Sequence, residues 1–429
     1  MSLLCAGACF IVVFLLSSAL NWLALIPWRR SAGAHWTERA RRLYPVRISV
    51  QLNPWFFAVN VAMVIQSFLG EITFLWLPPT LAAWLGAALS GYLTDRQIWP
   101  GLSFNNWFNQ FVLYAMFFQS GLLLVGVAFV AMPTHFSWQT WVIAGVLLTI
   151  LLSLILGLTV KILRWTHLIQ SAPVRLRDIA ARAAKLAGAK LRDVWVNQGP
   201  LANAFALLPM NDMLFSERLL EVMSDEELDS ICAHEATHLT ESKWVFIGRL
   251  FGALALYPLI FILPVIHRFG LPGLLMLFVP ILALVFLPRW LAQRMEKRAD
   301  AGAAQQAADP VVYARALEKI YEANCMPAAM PKRSRLPHPD LYDRMVAAGV
   351  TPTYEQPRPP GKMSWTTFLL AGLLGLQLGA LISRSQAAND LAAVHNEFSP
   401  PPLSQKVPGW TLLSSEVSTN NYNTNAPKH

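Results

Sequence analysis

Apolar positions in this chain come in long blocks, not in the alternation of a half-buried sheet. The blocks fall at about residues 3–27, 53–70, 72–93, 108–131, 138–160, 245–265, 271–290 and 365–383. Each approaches the roughly 20 residues a helix needs to cross a bilayer. The pattern therefore predicts a multi-span helix bundle of six to eight spans. Two regions leave alternatives open. Gly70-Glu71 and Pro78-Pro79 break the second and third blocks, which reads either as two spans or as a re-entrant pair. Pro258, Pro264, Pro272, Pro280 and Pro288 interrupt residues 245–290, a pattern that buried helices of a soluble domain also show. No basic residue precedes the first block and no small-residue cleavage site follows it, so it reads as a retained anchor.

Two polar stretches, residues 161–244 and 291–364, lie between the later blocks. Neither alone is large enough to bury much of a core, so the two should fold as one domain. Residues 173–188 predict an amphipathic helix, Leu191 to Val196 a strand, and Leu201 to Leu208 a second strand or extended edge. A Pro209-Met210-Asn211-Asp212 turn and a return strand at Met213 to Phe215 follow. Ser224, with Glu227 three residues on, opens a capped helix that runs through His238. The expected fold is mainly α, an integral membrane bundle carrying a cytoplasmic α+β domain. Its parts are an N-terminal transmembrane region (1–163), two halves of the polar domain (164–244 and 291–364) around a transmembrane hairpin (245–290), a C-terminal span (365–383) and a tail (384–429). The tail is rich in Ser, Asn and Pro and reads as disordered.

Charge sets the orientation. The expected loop 28–52 holds Arg29, Arg30, Arg39, Arg41, Arg42 and Arg47 against Glu38 alone, which places it in the cytoplasm. Lys161 and Arg164 follow the fifth block, so both halves of the polar domain face the same side. With 55% hydrophobic and 14% charged residues, the chain falls well below the ~25% charge of soluble proteins. Its net charge of +9 is accounted for by basic residues flanking apolar blocks, and no nucleic-acid partner is expected. Cys5, Cys9, Cys232 and Cys325 make neither a disulfide framework nor zinc-finger spacing.

The chemistry sits in His234-Glu235-Ala236-Thr237-His238. Two imidazoles at i and i+4 share a helix face and can hold one zinc ion, while the glutamate between them handles protons. A catalytic zinc usually takes three protein ligands and keeps one open position. Just past the last block of the proline-rich pair, Glu296 can coordinate. Asp300, one turn on, could accept a hydrogen bond from a ligand imidazole. Small residues from Ala299 to Ala304 would let this helix pack closely on the first.

These motifs resemble the M48 membrane metallopeptidases, a family that includes bacterial heat-shock proteases and CAAX prenyl proteases. The resemblance covers about residues 165–350 and also takes in Asn203-Ala204-Phe205 and Leu336-Pro337-His338-Pro339 followed by Arg344. It implies a zincin-like metalloprotease domain with one zinc ion, His234, His238 and Glu296 as ligands, and Glu235 as catalytic base. It also implies that His338 and Arg344 lie near the scissile carbonyl and that Asn203, Ala204 and Phe205 line the substrate edge. The family's usual Asn-Ala-Phe-Ala-Thr-Gly becomes Asn203-Ala204-Phe205-Ala206-Leu207-Leu208 here, which alters the shape of that edge. The implied function is a zinc-dependent endopeptidase in a bacterial inner membrane. It would cut membrane proteins or peptides at the cytoplasmic face, in quality control or regulated processing. The alternatives are a prenyl-peptide protease and a non-catalytic zinc-stabilised scaffold. The lipid bilayer is a partner, and the sequence leaves oligomeric state open.

Overall fold

The computed structural model describes residues 2–69, 76–306, 309–330, 340–377 and 379–380. Residues 1–374 form one compact unit, and residues 375–429 a second, of which only the first few are described. The tail therefore lies outside the described residues, as does Glu71.

The chain begins with α1 (Ser2–Ala24), the short α2 (Ile26–Arg29), α3 (Trp36–Leu69) and α4 (Leu77–Ile98). Then come α5 (Phe104–Tyr114), α6 (Ser120–Ala131), α7 (Trp138–Ser153) and α8 (Thr159–Trp165). Single π-helical turns, Ala115–Gln119 and Leu154–Leu158, join α5 to α6 and α7 to α8. The sheet-containing part follows with β1 (Ile169–Ser171), α9 (Val174–Ala187), β2 (Val194–Asn197), β3 (Ala204–Leu207), β4 (Asp212–Ser216), α10 (Glu217–Val222) and α11 (Asp225–Leu239). After α12 (Lys243–Ala253), the long α13 (Ile262–Gln306) returns to pack on α11, and α14 (Pro310–Ala323) and α15 (Leu341–Ala347) follow.

Five helical stretches are long and apolar enough to cross a membrane among the described residues: Leu3–Arg29, Trp36–Ile65, Phe104–Ala128, Trp138–Trp165 and Lys243–Gly270. Pro272–Leu284 and Trp365–Gln377 are apolar but shorter. The expected loop at 28–52 is mostly helix, because α3 starts at Trp36. Its polar face is held by Glu38, which pairs with Arg41 and Arg42 at i+3 and i+4. Its other face buries Ala40, Leu43 and Val46, the last two against Leu25 and Trp28. Arginine-rich composition had masked this amphipathic period.

Small residues let α4 lie against α1. A Cβ on Gly86 would sit 2.6 Å from the carbonyl oxygen of Phe10, so only glycine permits this approach. Polar side chains then tie the helices. Ser17 and Ser90 hydroxyls lie 2.8 Å apart, and the amide of Asn21 donates to Ser90 at 3.1 Å. Asn53 donates to Asn21 at 3.1 Å and accepts from Thr367 at 3.1 Å. Buried between helices, each such group needs a partner, so the chain of hydrogen bonds specifies the packing.

The sheet has the order β1-β2-β4-β3, with β2 and β4 parallel and the outer pairs antiparallel. This leaves β3 at an edge. Apolar residues of α9 (Leu176, Ile179, Ala183), β4 (Met213, Phe215) and α11 (Leu228, Ile231, Cys232) form one core with Tyr313 and Leu317 of α14. The two polar stretches thus share a core, as their individual sizes require. Ser224 caps α11 as expected: its hydroxyl accepts from the Glu227 N–H, and the Glu227 carboxylate accepts from the Ser224 N–H at 2.9 Å. The expected 209–212 turn is a 3-10 turn at Leu208–Met210 closed by Asn211 in the left-handed region (φ 55°).

Helix α13 packs against α11 through Ala299 and Ala303, both fully buried, and Gly302. A Cβ at Gly302 would lie 2.4 Å from the Thr237 hydroxyl, inside the histidine-bearing helix. Gly302→Leu should therefore force the two helices apart and destabilise the chain by about 1–3 kcal/mol. Thermal unfolding in detergent checks this, and an unchanged midpoint would show that the interface has slack.

Candidate metal centre and its cleft

Packing of α11 on α13 brings together three side chains separated by up to 62 positions in sequence. The Nε2 atoms of His234 and His238 lie 3.3 Å apart. Glu296 approaches them at 3.5 Å and 3.6 Å through its two carboxylate oxygens. All three side chains are buried, and they form the one potential three-ligand metal cluster among the described residues. Metal–ligand bonds of about 2.0–2.1 Å at tetrahedral angles separate ligand atoms by roughly 3.3–3.4 Å. The observed triangle has nearly that edge length, so one small divalent ion would fit between the three side chains.

The far side of each ring is also held. The Nδ1 of His238 lies 2.6 Å from a Glu241 carboxylate oxygen, which in turn accepts from Arg249 at 2.6 Å. With its proton on Nδ1, His238 presents a free Nε2 lone pair to the ion position. The Nδ1 of His234 lies 2.8 Å from the Tyr313 hydroxyl and 3.3 Å from Asp300. The Tyr313 hydroxyl donates to Asp300 at 2.7 Å, and Arg344 donates to both, through Nε to Asp300 at 2.9 Å and through Nη2 to Tyr313 at 2.9 Å. The structure thus places Asp300 behind the His234 ring. Sequence reasoning missed Tyr313, Glu241 and Arg249. Glu241, three residues beyond His238, carried a local signal, whereas Tyr313 on α14 carried none.

Electrostatics favour a cation here. Burial pulls the His234 pKa down, but hydrogen bonds to the Asp300 and Glu296 carboxylates outweigh it and hold the value up at about 9. Burial acts to raise Asp300, yet His234 and the Arg344 charge dominate and hold it well below the usual carboxylate range. Burial keeps the Tyr313 hydroxyl protonated and able to donate. A metal bound by the His234 ring must displace this proton, so metal affinity should rise with pH.

The triangle opens into a cavity of about 440 Å³. Glu235 lines it beside the ligands, with Asn203, Ala204, Phe205 and Ala206 along one wall and Tyr313 and Arg344 on another. Asn203 precedes β3 and is bonded to Ser216: its N–H donates to the hydroxyl at 2.8 Å and its carbonyl accepts from the N–H at 2.9 Å. Asn203, Ala204 and Phe205 thus line the same cavity as the three candidate ligands, the last two on a strand at the sheet edge. His338 lies outside the described residues.

An ion-sized triangle on two packed helices, open to the edge of a small sheet, is the layout of zincin-like peptidases, here joined to membrane helices. Comparison with known proteins agrees. The model of peptidase family M48 matches residues 171–350. Protease HtpX of Shewanella oneidensis is 30% identical over 40% of this chain and 72% of its own length. Protease HtpX of Aeromonas hydrophila subsp. hydrophila is 28% identical over 41% of this chain and 63% of its own length, so less than two thirds of that relative is spanned. The chain belongs to peptidase family M48 and is an integral membrane metallopeptidase of the HtpX-like kind.

Asp300→Asn removes the charge that holds Tyr313 and the His234 ring. It should weaken metal affinity by about 10–100-fold while leaving the fold intact. Competition with a chromogenic chelator measures this, and unaltered affinity would show that Asp300 does not tune the site.

Proposed function

We propose that the chain is a zinc-dependent endopeptidase of a bacterial inner membrane. It cuts membrane proteins or membrane-associated peptides at the cytoplasmic face, in quality control or regulated processing. The observation that carries the proposal is the ion-sized triangle of His234, His238 and Glu296 with Glu235 beside it on the cleft wall.

His234, His238 and Glu296 hold the zinc. When bound, the ion polarises the scissile carbonyl and makes water a stronger acid. Glu235, adjacent in sequence to a ligand and exposed to the cavity, takes the proton of the attacking water and returns it to the leaving amine. Arg344 reaches the cavity wall and offers positive charge to the developing oxyanion, while its Nε and Nη2 brace Asp300 and Tyr313. His338 takes a similar donor role. The free edge of β3 receives substrate as an added strand, with Asn203, Ala204 and Phe205 along it. Recognition through main chain places little demand on most side chains of the substrate. Arginine-rich segments beside the apolar blocks support a cytoplasmic catalytic domain.

Glu235→Gln keeps the ligands and removes the base. It should lower kcat by at least about 10²–10⁴-fold while zinc content stays near one per chain. Peptide-cleavage rates alongside metal analysis test it, and near-normal turnover would reject the assignment. Orientation is tested separately with a cysteine placed at exposed Lys185 in a chain otherwise free of cysteine. An impermeant maleimide should label it only after spheroplasts are lysed.

A further inference from the structure

A second cavity, of about 230 Å³, lies at the C-terminal end of β3, on the side of the membrane helices. It adjoins the metal cavity, since Ala206 and Arg249 line both. Its walls come from three helical segments, with Phe117 before α6, Leu154 after α7 and Leu250 of α12, and Met210 closes it from the sheet. Arg249 is its one charged lining residue, and that guanidinium is already paired with Glu241. The volume is below the ~300–1,000 Å³ of small-molecule sites and suits a single side chain.

The helices are shaped around this space. Both π-helical turns of the N-terminal region, Ala115–Gln119 and Leu154–Leu158, contribute lining residues, although they are distant in sequence. An inserted π turn displaces a helix face locally and is common where a helix shapes a site. Gly157, in the second turn, has φ 129°, and a Cβ there would lie 3.0 Å from the Met210 sulfur. The turn after β3 thus docks onto a bend that L side chains rarely adopt.

We propose that this cavity is a specificity pocket for one large, uncharged apolar side chain of the substrate polypeptide. The inference rests on the peptidase reading of the adjoining cleft and deepens it. A peptide lying along β3 has side chains alternating to either side of its backbone. One of them, within the four-residue length of β3, would fall beside Ala206 and Leu207, which line the pocket. A pocket so placed favours apolar stretches, the kind of segment that a destabilised membrane protein exposes. The acyl chain of a lipid is the competing occupant, and the shared wall of Ala206 and Arg249 argues for the peptide.

The test uses the full chain, zinc-loaded, in detergent. Peptides carrying Leu, Phe, Ala or Asp are scanned position by position around the scissile bond, and kcat/KM is measured. At one position Leu or Phe should exceed Ala by about tenfold or more, and Asp should be the poorest. Ser120→Phe and Ala253→Phe, which fill the cavity from two different helices, should each collapse the Leu-to-Ala ratio towards one while zinc content stays at one per chain. Chelator-sensitive cleavage with no apolar preference at any position would overturn the pocket and leave the peptidase reading standing, as would filled variants that keep the wild-type ratio. Loss of all chelator-sensitive cleavage in the wild-type chain would instead remove the peptidase reading, and the pocket with it.

Discussion

Close contact between α11 and α13 is the constraint on which the rest depends. Ala299, Gly302 and Ala303 let the second helix lie so near the first that Glu296 meets both Nε2 atoms at 3.5–3.6 Å. Two carboxylate arms then fix the rings from behind. Asp300, with Tyr313 and Arg344, holds His234. Glu241, with Arg249, holds His238. Each arm pairs an acid, Asp300 half-buried and the Glu241 side chain almost fully so, with an arginine, which offsets the cost of drawing carboxylates out of water. The rings are thereby held from behind with their Nε2 atoms turned toward one another, a setting that favours a cation between them.

The same arrangement ties the centre to the membrane helices. Arg249, which braces one imidazole through Glu241, belongs to α12 within an apolar helical stretch. The strand edge that borders the ion position also borders the bent helices at Gly157 and at Ala115–Gln119. The N-terminal region therefore does more than anchor the peptidase domain. It supplies part of the wall past which an extended chain would run. Its own packing relies on small residues and on a hydrogen-bonded series through Ser17, Ser90, Asn21 and Asn53, because apolar burial alone gives little preference among helices in lipid.

Much of the site was readable without coordinates. The capping box at Ser224 and the i, i+4 histidines are local signals, because helical periodicity alone puts both rings on one face. The strands around β3 were legible to within a few residues, because short apolar runs bounded by a Pro-Met-Asn-Asp turn are also local signals. The first half of α3, residues 36–52, was hidden by its arginines, because the burial of Leu43 against Leu25 and Trp28 depends on neighbours elsewhere in the chain. Tyr313 and Arg249 gave no sign at all, since a lone tyrosine or arginine on an amphipathic helix is ordinary until its partner is known.

By itself, then, the sequence determined the local matters: which segments are helical and apolar, where the metal-binding helix starts, and which face carries its imidazoles. Backbone periodicity and capping act over a few residues and can be read in order along the chain. Tertiary structure alone decided how near Glu296 comes to the rings, which groups stand behind them, and that a strand edge and two bent membrane helices share one cleft. Those outcomes depend on contacts between residues many tens of positions apart, and they are set by how closely whole helices can pack.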